Sequence, residues 1–196
     1  MVMTTSLDLP LGAAAPDFSL PDVQSGRQFS LADCKQQGCK GLLVLFICNH
    51  CPYVKMLRTE LAAIGREYSA KGVSVVAVCS NDADRYPDDG PEQMQAVAQE
   101  FGYSFPYLHD ADQSVARAYG AVCTPDIFLF DADFRLFYHG QFDDARPNKT
   151  IPVTGQDLRQ ALDALLSGKS APAGQKPSVG CSIKWKPGKG PEPGQR

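Results

Sequence analysis

Residues 42–47 read LLVLFI, an unbroken apolar run that restricts the fold of this chain more than any other stretch. With no polar face and too few residues for a helix, it reads as a central strand buried on both sides. Behind it, Val54, Leu57, Leu61, Ile64 and Tyr68 recur at three- and four-residue steps. They mark one apolar helix face over residues 52–70, which Gly72 closes. Residues 73–78, VSVVAV, are apolar and β-branched and give a second buried strand. Strand, helix and strand with both strands buried make a βαβ unit, and so a parallel pair with a right-handed crossover.

Other elements arrange themselves around this unit. Residues 16–31 alternate apolar and polar letters about Ser25-Gly26, which predicts an N-terminal β-hairpin. Pro91 suits the first position of a helix reaching Phe101, with Gly102 past its end. Asp112 is placed to cap a short helix that stops at Gly120. Residues 127–130 and 135–138, separated by Asp131-Ala132-Asp133, predict an antiparallel edge hairpin. Thr154 with Asp157 three residues on resembles a capping box, opening a helix whose apolar face is Leu158, Leu162, Leu165 and Leu166. From residue 168 to 196 Gly, Pro and Lys dominate, the composition of a tail. Within it, Cys181-Ser182-Ile183-Lys184-Trp185 sets a thiol near the only Trp, a patch suited to docking on the domain.

The chain has seven cysteines, an odd number, so at least one cannot pair internally. They are scattered over Cys34, Cys39, Cys48, Cys51, Cys79, Cys123 and Cys181, unlike the framework of a small secreted scaffold. Such usage points to redox or metal chemistry in a reducing, cytoplasmic setting. A formal charge of −3 leaves no basic footprint for nucleic acid. No apolar run approaches the roughly 20 residues that cross a bilayer, so no membrane association is expected. The first residues lack the basic start of a secretory signal.

The chemistry concentrates at Cys48-Asn49-His50-Cys51-Pro52, where the buried strand hands over to the amphipathic helix. A thiol at a helix start faces unpaired backbone N–H groups, which favour thiolate, the nucleophilic form. Pro52 fits the first helical position because its missing N–H has no intrahelical partner. A protonated His50 close to Cys51 would lower its pKa further. The plain alternative makes Cys51 a small hydrophobe at a strand end; a C-x-x-C beside a βαβ pattern favours redox function. Cys79, ending a buried strand, reads as packing, and His109 and His139 as surface or hydrogen-bonded groups.

Three motifs in order, APDFSLPDVQSGRQFSL, FICNHCPYVK and YGAVCTPDIFLFD, resemble the thioredoxin superfamily. They are most similar to its peroxiredoxin-like AhpC/TSA branch and the TlpA/ResA-type relatives, over residues 10 to 167. Within that branch, a subgroup carrying CNHCPYVK, CTPD and GCSIKWK is the closer match. The resemblance implies an α/β, thioredoxin-like fold: a central mixed sheet flanked by helices, in a domain spanning residues 10–167. It implies Cys51 as the attacking cysteine and a cis peptide bond at Thr124-Pro125, with Pro125 facing Cys51. In the thioredoxin pattern the resolving cysteine falls at position 54, here Val54, so the C-x-x-C is shifted and Cys48 precedes the nucleophile. The Thr or Ser that peroxiredoxins place three residues before their thiol, and its partner Arg, have no counterpart here.

Three partners compete to resolve Cys51. A disulfide needs Cα atoms about 4.4–6.8 Å apart. Cys48 ranks first, provided Asn49-His50 turns; Cys123 follows, because it precedes Thr124-Pro125; Cys181 is third and requires the tail to fold back. The first functional expectation is thiol–disulfide exchange on a disulfide-bearing protein or a small thiol compound, without a cofactor. A second is peroxide reduction through a sulfenic acid on Cys51. A third is Cu or Zn binding by Cys48, His50 and Cys51, with Cys123 or His109 as a further ligand. The oligomeric state stays open, a homodimer included.

Overall fold

The computed structural model describes residues 3–7 and 9–190. In chain order, β1 is Met3–Thr5, β2 Ser19–Pro21, β3 Gln28–Ser30, α1 Leu31–Gln36 and β4 Gly41–Phe46. Next come α2 Pro52–Lys55, α3 Arg58–Ala70, β5 Val73–Cys79, α4 Pro91–Phe101 and β6 Tyr107–His109. The remainder is α5 Ser114–Tyr119, β7 Cys123–Thr124, β8 Asp126–Asp131, β9 Leu136–His139, α6 Gln156–Leu166 and β10 Val179–Ser182.

The central sheet runs β6-β5-β4-β8-β9, with β4 parallel to β5, β5 parallel to β6, and the β8–β9 hairpin antiparallel at one side. It is a mixed sheet with β4 in the middle. Every residue of β4 is buried because both faces are covered. Leu43 and Leu45 pack with Leu61 and Ile64 of α3, Met94 of α4 and Leu158 and Leu162 of α6. Leu42, Val44 and Phe46 face the opposite layer, with Cys34 of α1 and Val115, Ala116 and Tyr119 of α5. The unbroken apolar run is the signature of this double burial. The N-terminal hairpin forms as β2–β3, with Leu20 opposite Phe29.

Several local expectations need correcting. The single helix over residues 52–70 is two pieces: Leu57 N–H donates to Val54 O, three residues back, and the regular ladder restarts from Leu57 O. Asp112 accepts from Ser114 N–H at 2.9 Å at the start of α5 but does not hold the cap position. Gln113 holds the cap position in a left-handed conformation (φ 64°), while buried Asp110 accepts from Val115 and Ala116 N–H. Thr154 and Asp157 form no capping box. Gly155 precedes α6, and the carboxylate of Asp143, from the preceding loop, accepts from the amides of Thr154 and Gly155 at 2.8 Å each. A non-local carboxylate thus takes the place of the local side chain.

The segment that composition marks as a tail contributes β10 to a separate three-stranded sheet, β1-β10-β7. Cys181 is buried with the α3–α6 layer and Ile183 with the α1–α5 layer, so this stretch spans both halves of the core. Residues 191–196, the end of that tail, lie outside the described residues. Among the described residues, no helix is long and apolar enough to cross a membrane.

Candidate active site

The site forms where β4 ends. Cys48 and Asn49 follow the strand, and Cys51 takes the cap position of α2 in extended conformation, with Pro52 as the first helical residue. Cys51 O accepts from Val54 and Lys55 N–H, which closes the first turn. The loop is pinned from outside by Asp89. One of its oxygens accepts from Asn49 N–H at 2.7 Å and His50 N–H at 3.2 Å, and the other meets His50 Nδ1 at 2.5 Å and Asn81 Nδ2 at 2.8 Å. His50 stacks on Tyr86 at 5.2 Å between ring centroids. It therefore faces Asp89, not the sulfur of Cys51.

Across from this loop, the Thr124–Pro125 peptide bond is cis. Thr124 Oγ1 lies 3.3 Å from Cys48 Sγ, and Thr124 O lies 3.2 Å from Cys51 Sγ. β10 runs antiparallel to β7 with Cys181 opposite Thr124 and Ser182 opposite Cys123. That register brings Cys181 Sγ to 2.8 Å from Cys51 Sγ. Cys48 and Cys181 are each 1% exposed and Cys51 0%, so the sulfur cluster is closed to solvent in this state. Two of the three partners read from the sequence reach Cys51: the Cys48 thiol hydrogen-bonds to it and Cys181 lies against it. Cys181, ranked last because it depends on the tail, is held directly against Cys51. The Cys123 thiol donates instead to Pro125 O at 3.5 Å.

The electrostatics separate the three thiols. Cys51 is pulled down to about 5, first by a hydrogen bond from the Cys48 thiol, against the opposing effect of burial. The Cys181 thiol and the backbone amides of Val54 and Cys181 add to the pull. Cys48 is pushed well above the ordinary thiol value because it donates to Cys51, is buried, and sits near the charge of Asp89. Cys181 is pushed up to about 12 by burial and then by its bond to Cys51. One ionised sulfur with two thiol donors is the arrangement these directions describe.

Remaining sequence candidates lie elsewhere. Cys79 is fully buried and desolvation raises its pKa, in line with a packing role. His139 meets buried Asp126 at 2.9 Å. His109 ends β6 and is held below the ordinary histidine range by burial. For a metal ion, the donor atoms that gather are those of Cys48, His50 and Asp89, all within 4.8 Å of one another, and not the set Cys48, His50 and Cys51. The Asp89 oxygens already receive donors from Asn49, His50 and Asn81, so the carboxylate is satisfied without an ion. Sequence reasoning missed Asp89 because it lies in a polar, Asp-rich loop with no local pattern. It also missed Gly180, where a Cβ would lie 2.0 Å from Thr124 O.

Comparison with known proteins places this geometry among relatives. Residues 11–139 match the model of the AhpC/TSA family. The chain is 27% identical over 165 residues to the thiol-disulfide oxidoreductase ResA of Geobacillus thermodenitrificans, covering 83% of this chain and 82% of the relative. A crystal structure of an uncharacterized conserved protein from Geobacillus kaustophilus superposes with a TM-score of 0.92 at 53% identity, covering 95% of this chain and 98% of that one. A hypothetical protein from Sinorhizobium meliloti 1021 superposes at 0.91 with 51% identity, covering 94% and 100%.

Proposed function

The chain belongs to the AhpC/TSA family and is a thiol–disulfide oxidoreductase, and we propose that Cys51 and Cys181 are the sulfur pair through which it works. The observation that carries this reading is the 2.8 Å separation of the two sulfurs, with the pKa of Cys51 pulled down to about 5 and that of Cys181 pushed up to about 12. Cys51 thiolate attacks one sulfur of a substrate disulfide, and the other sulfur leaves as a thiolate. Cys51 is then a neutral mixed disulfide, so the contribution its bond makes to the raised pKa of Cys181 disappears. Cys181 gives up its proton to the departing thiolate or to water and attacks Cys51 Sγ. The second substrate thiol leaves, and the balance is one substrate disulfide reduced to two thiols against one Cys51–Cys181 disulfide formed.

The low pKa of Cys51 serves both halves of the cycle. It keeps the attacking sulfur ionised at neutral pH, and a low-pKa sulfur leaves faster when the protein disulfide is later reduced. Cys48 is a hydrogen-bond donor to that sulfur and Asp89 holds the loop that carries both. A disulfide-bearing protein is the substrate class this reading takes, and a reducing compartment such as the cytoplasm is its setting, supported by the odd and scattered cysteines.

Stopped-flow reduction of a chromogenic disulfide tests the assignment. Cys181→Ser gives one burst equal to the enzyme concentration and then stalls as the mixed disulfide, while Cys51→Ser gives no burst. A Cys51→Ser variant with the native burst contradicts the reading.

A further inference from the structure

An ionised sulfur that is 0% exposed meets no external disulfide unless something moves. The nearest element above it is β10, which supplies both the Cys181 sulfur and a backbone amide to Cys51. We propose that Val179–Ser182 is a displaceable cover over Cys51, seated by Gly180, and that a substrate disulfide reaches Cys51 only when this segment lifts from Thr124. The proposal rests on Cys51 being the attacking sulfur.

Its seat is narrow and its ends are tied. β10 meets β7 through two residue pairs and meets β1 through three, so the weaker seam is the one over the site. A Cβ built at Gly180 would lie 2.0 Å from Thr124 O and 2.6 Å from Thr124 C, and these are backbone atoms with no freedom to turn aside. Only glycine lets the strand lie this close to the Thr124–Pro125 corner. Upstream, Ser178 and Ser6 exchange hydrogen bonds, Ser6 N–H to Ser178 O at 2.9 Å and Ser178 N–H to Ser6 Oγ at 3.0 Å. Downstream, Lys184 N–H donates to Asn81 Oδ1 at 2.8 Å, and Lys184 O accepts from Gln113 Nε2 at 2.9 Å and Asp82 N–H at 2.8 Å. Lys186 N–H donates to Gln113 Oε1. Anchors on both sides make opening a local lift of the middle, which returns Cys181 to the same position on closing. The cover and the resolving thiol are thus one element. A substrate that displaces the strand also parts Cys181 from Cys51, and closure delivers Cys181 back to the mixed disulfide.

Alkylation by iodoacetamide, read at each cysteine by mass spectrometry on the full chain, tests the cover. Gly180→Ala speeds alkylation of Cys51 about tenfold or more, as expected when a sparsely populated open state becomes common. Cys34 and Cys79, both 0% exposed, keep their native slow rates. Gln113→Ala, which removes two of the downstream bonds and leaves those to Asn81 and Asp82, shifts Cys51 in the same direction by a smaller factor. A native Cys51 rate in Gly180→Ala with Cys34 and Cys79 still protected overturns the proposal. If Gly180→Ala unfolds, seen as rapid labelling of Cys34 and Cys79, the Gln113→Ala rate decides, and an unchanged value overturns it. Faster alkylation without faster attack on the chromogenic disulfide upholds the cover and removes Cys51 as the nucleophile.

Discussion

Cys51 stays ionised inside the protein because donors converge on it: the Cys48 thiol first, then the Cys181 thiol and two backbone amides, together outweighing burial. An ordinary thiol near 8.5 loses its thiolate tenfold for each pH unit below that value. With a pKa of about 5, Cys51 holds its thiolate down to about pH 5. Its alkylation rate is therefore flat through neutral pH and falls only below that point. Cys48→Ala removes the largest donor, so the midpoint moves up toward the ordinary thiol range and the rate at pH 6 drops about tenfold. A pH profile of iodoacetamide labelling at Cys51 in both proteins checks this; identical midpoints would mean Cys48 gives no support. His50 was a natural candidate for this role on sequence grounds, being adjacent. Adjacency does not fix a ring's direction, and Asp89, thirty-nine residues away, claims it.

At the scale of elements, local and non-local signals part company at α6. Its apolar face was readable from Leu158 and Leu162, both buried. Its start was not, because the amides of Thr154 and Gly155 turn to Asp143 and not to a neighbouring hydroxyl. Asp143 also accepts from Ala145 N–H at 2.9 Å and is almost fully buried. Asp143→Ala leaves three amides in the loop without their acceptor and lowers unfolding free energy by about 1–3 kcal/mol in urea titration. A loss below about 0.5 kcal/mol would show that water replaces the carboxylate. The same contrast runs through the chain. The β4–β5 pair and the helix ended by left-handed Gly102 follow from sequence patterns that neighbours enforce. The left-handed Gln113 that opens α5 and the break at Met56-Leu57 are backbone adjustments that no short pattern records.

The whole molecule joins its two ends over the site. Residues 51 and 181, separated by 130 positions, meet because β1 and β7 flank a four-residue strand from the C-terminal stretch. Val-Gly-Cys-Ser carries no strand periodicity, and its surroundings are rich in Gly, Pro and Lys, so composition pointed to a tail. Only the Cys181-to-Trp185 patch signalled otherwise. The fold around β4 was legible because a two-sided burial writes itself into six consecutive residues. The sulfur pair was half legible: the helix-start cysteine stands out, but its partner is fixed by long-range pairing and by the missing side chain of Gly180. The central claim is that this pairing defines the redox couple. Oxidising the reduced protein with one equivalent of a disulfide, quenching with an alkylating agent and mapping the peptides tests it most directly. The account predicts a cross-linked peptide joining Cys51 to Cys181, with Cys48 alkylated; a Cys48–Cys51 disulfide with Cys181 alkylated would contradict it.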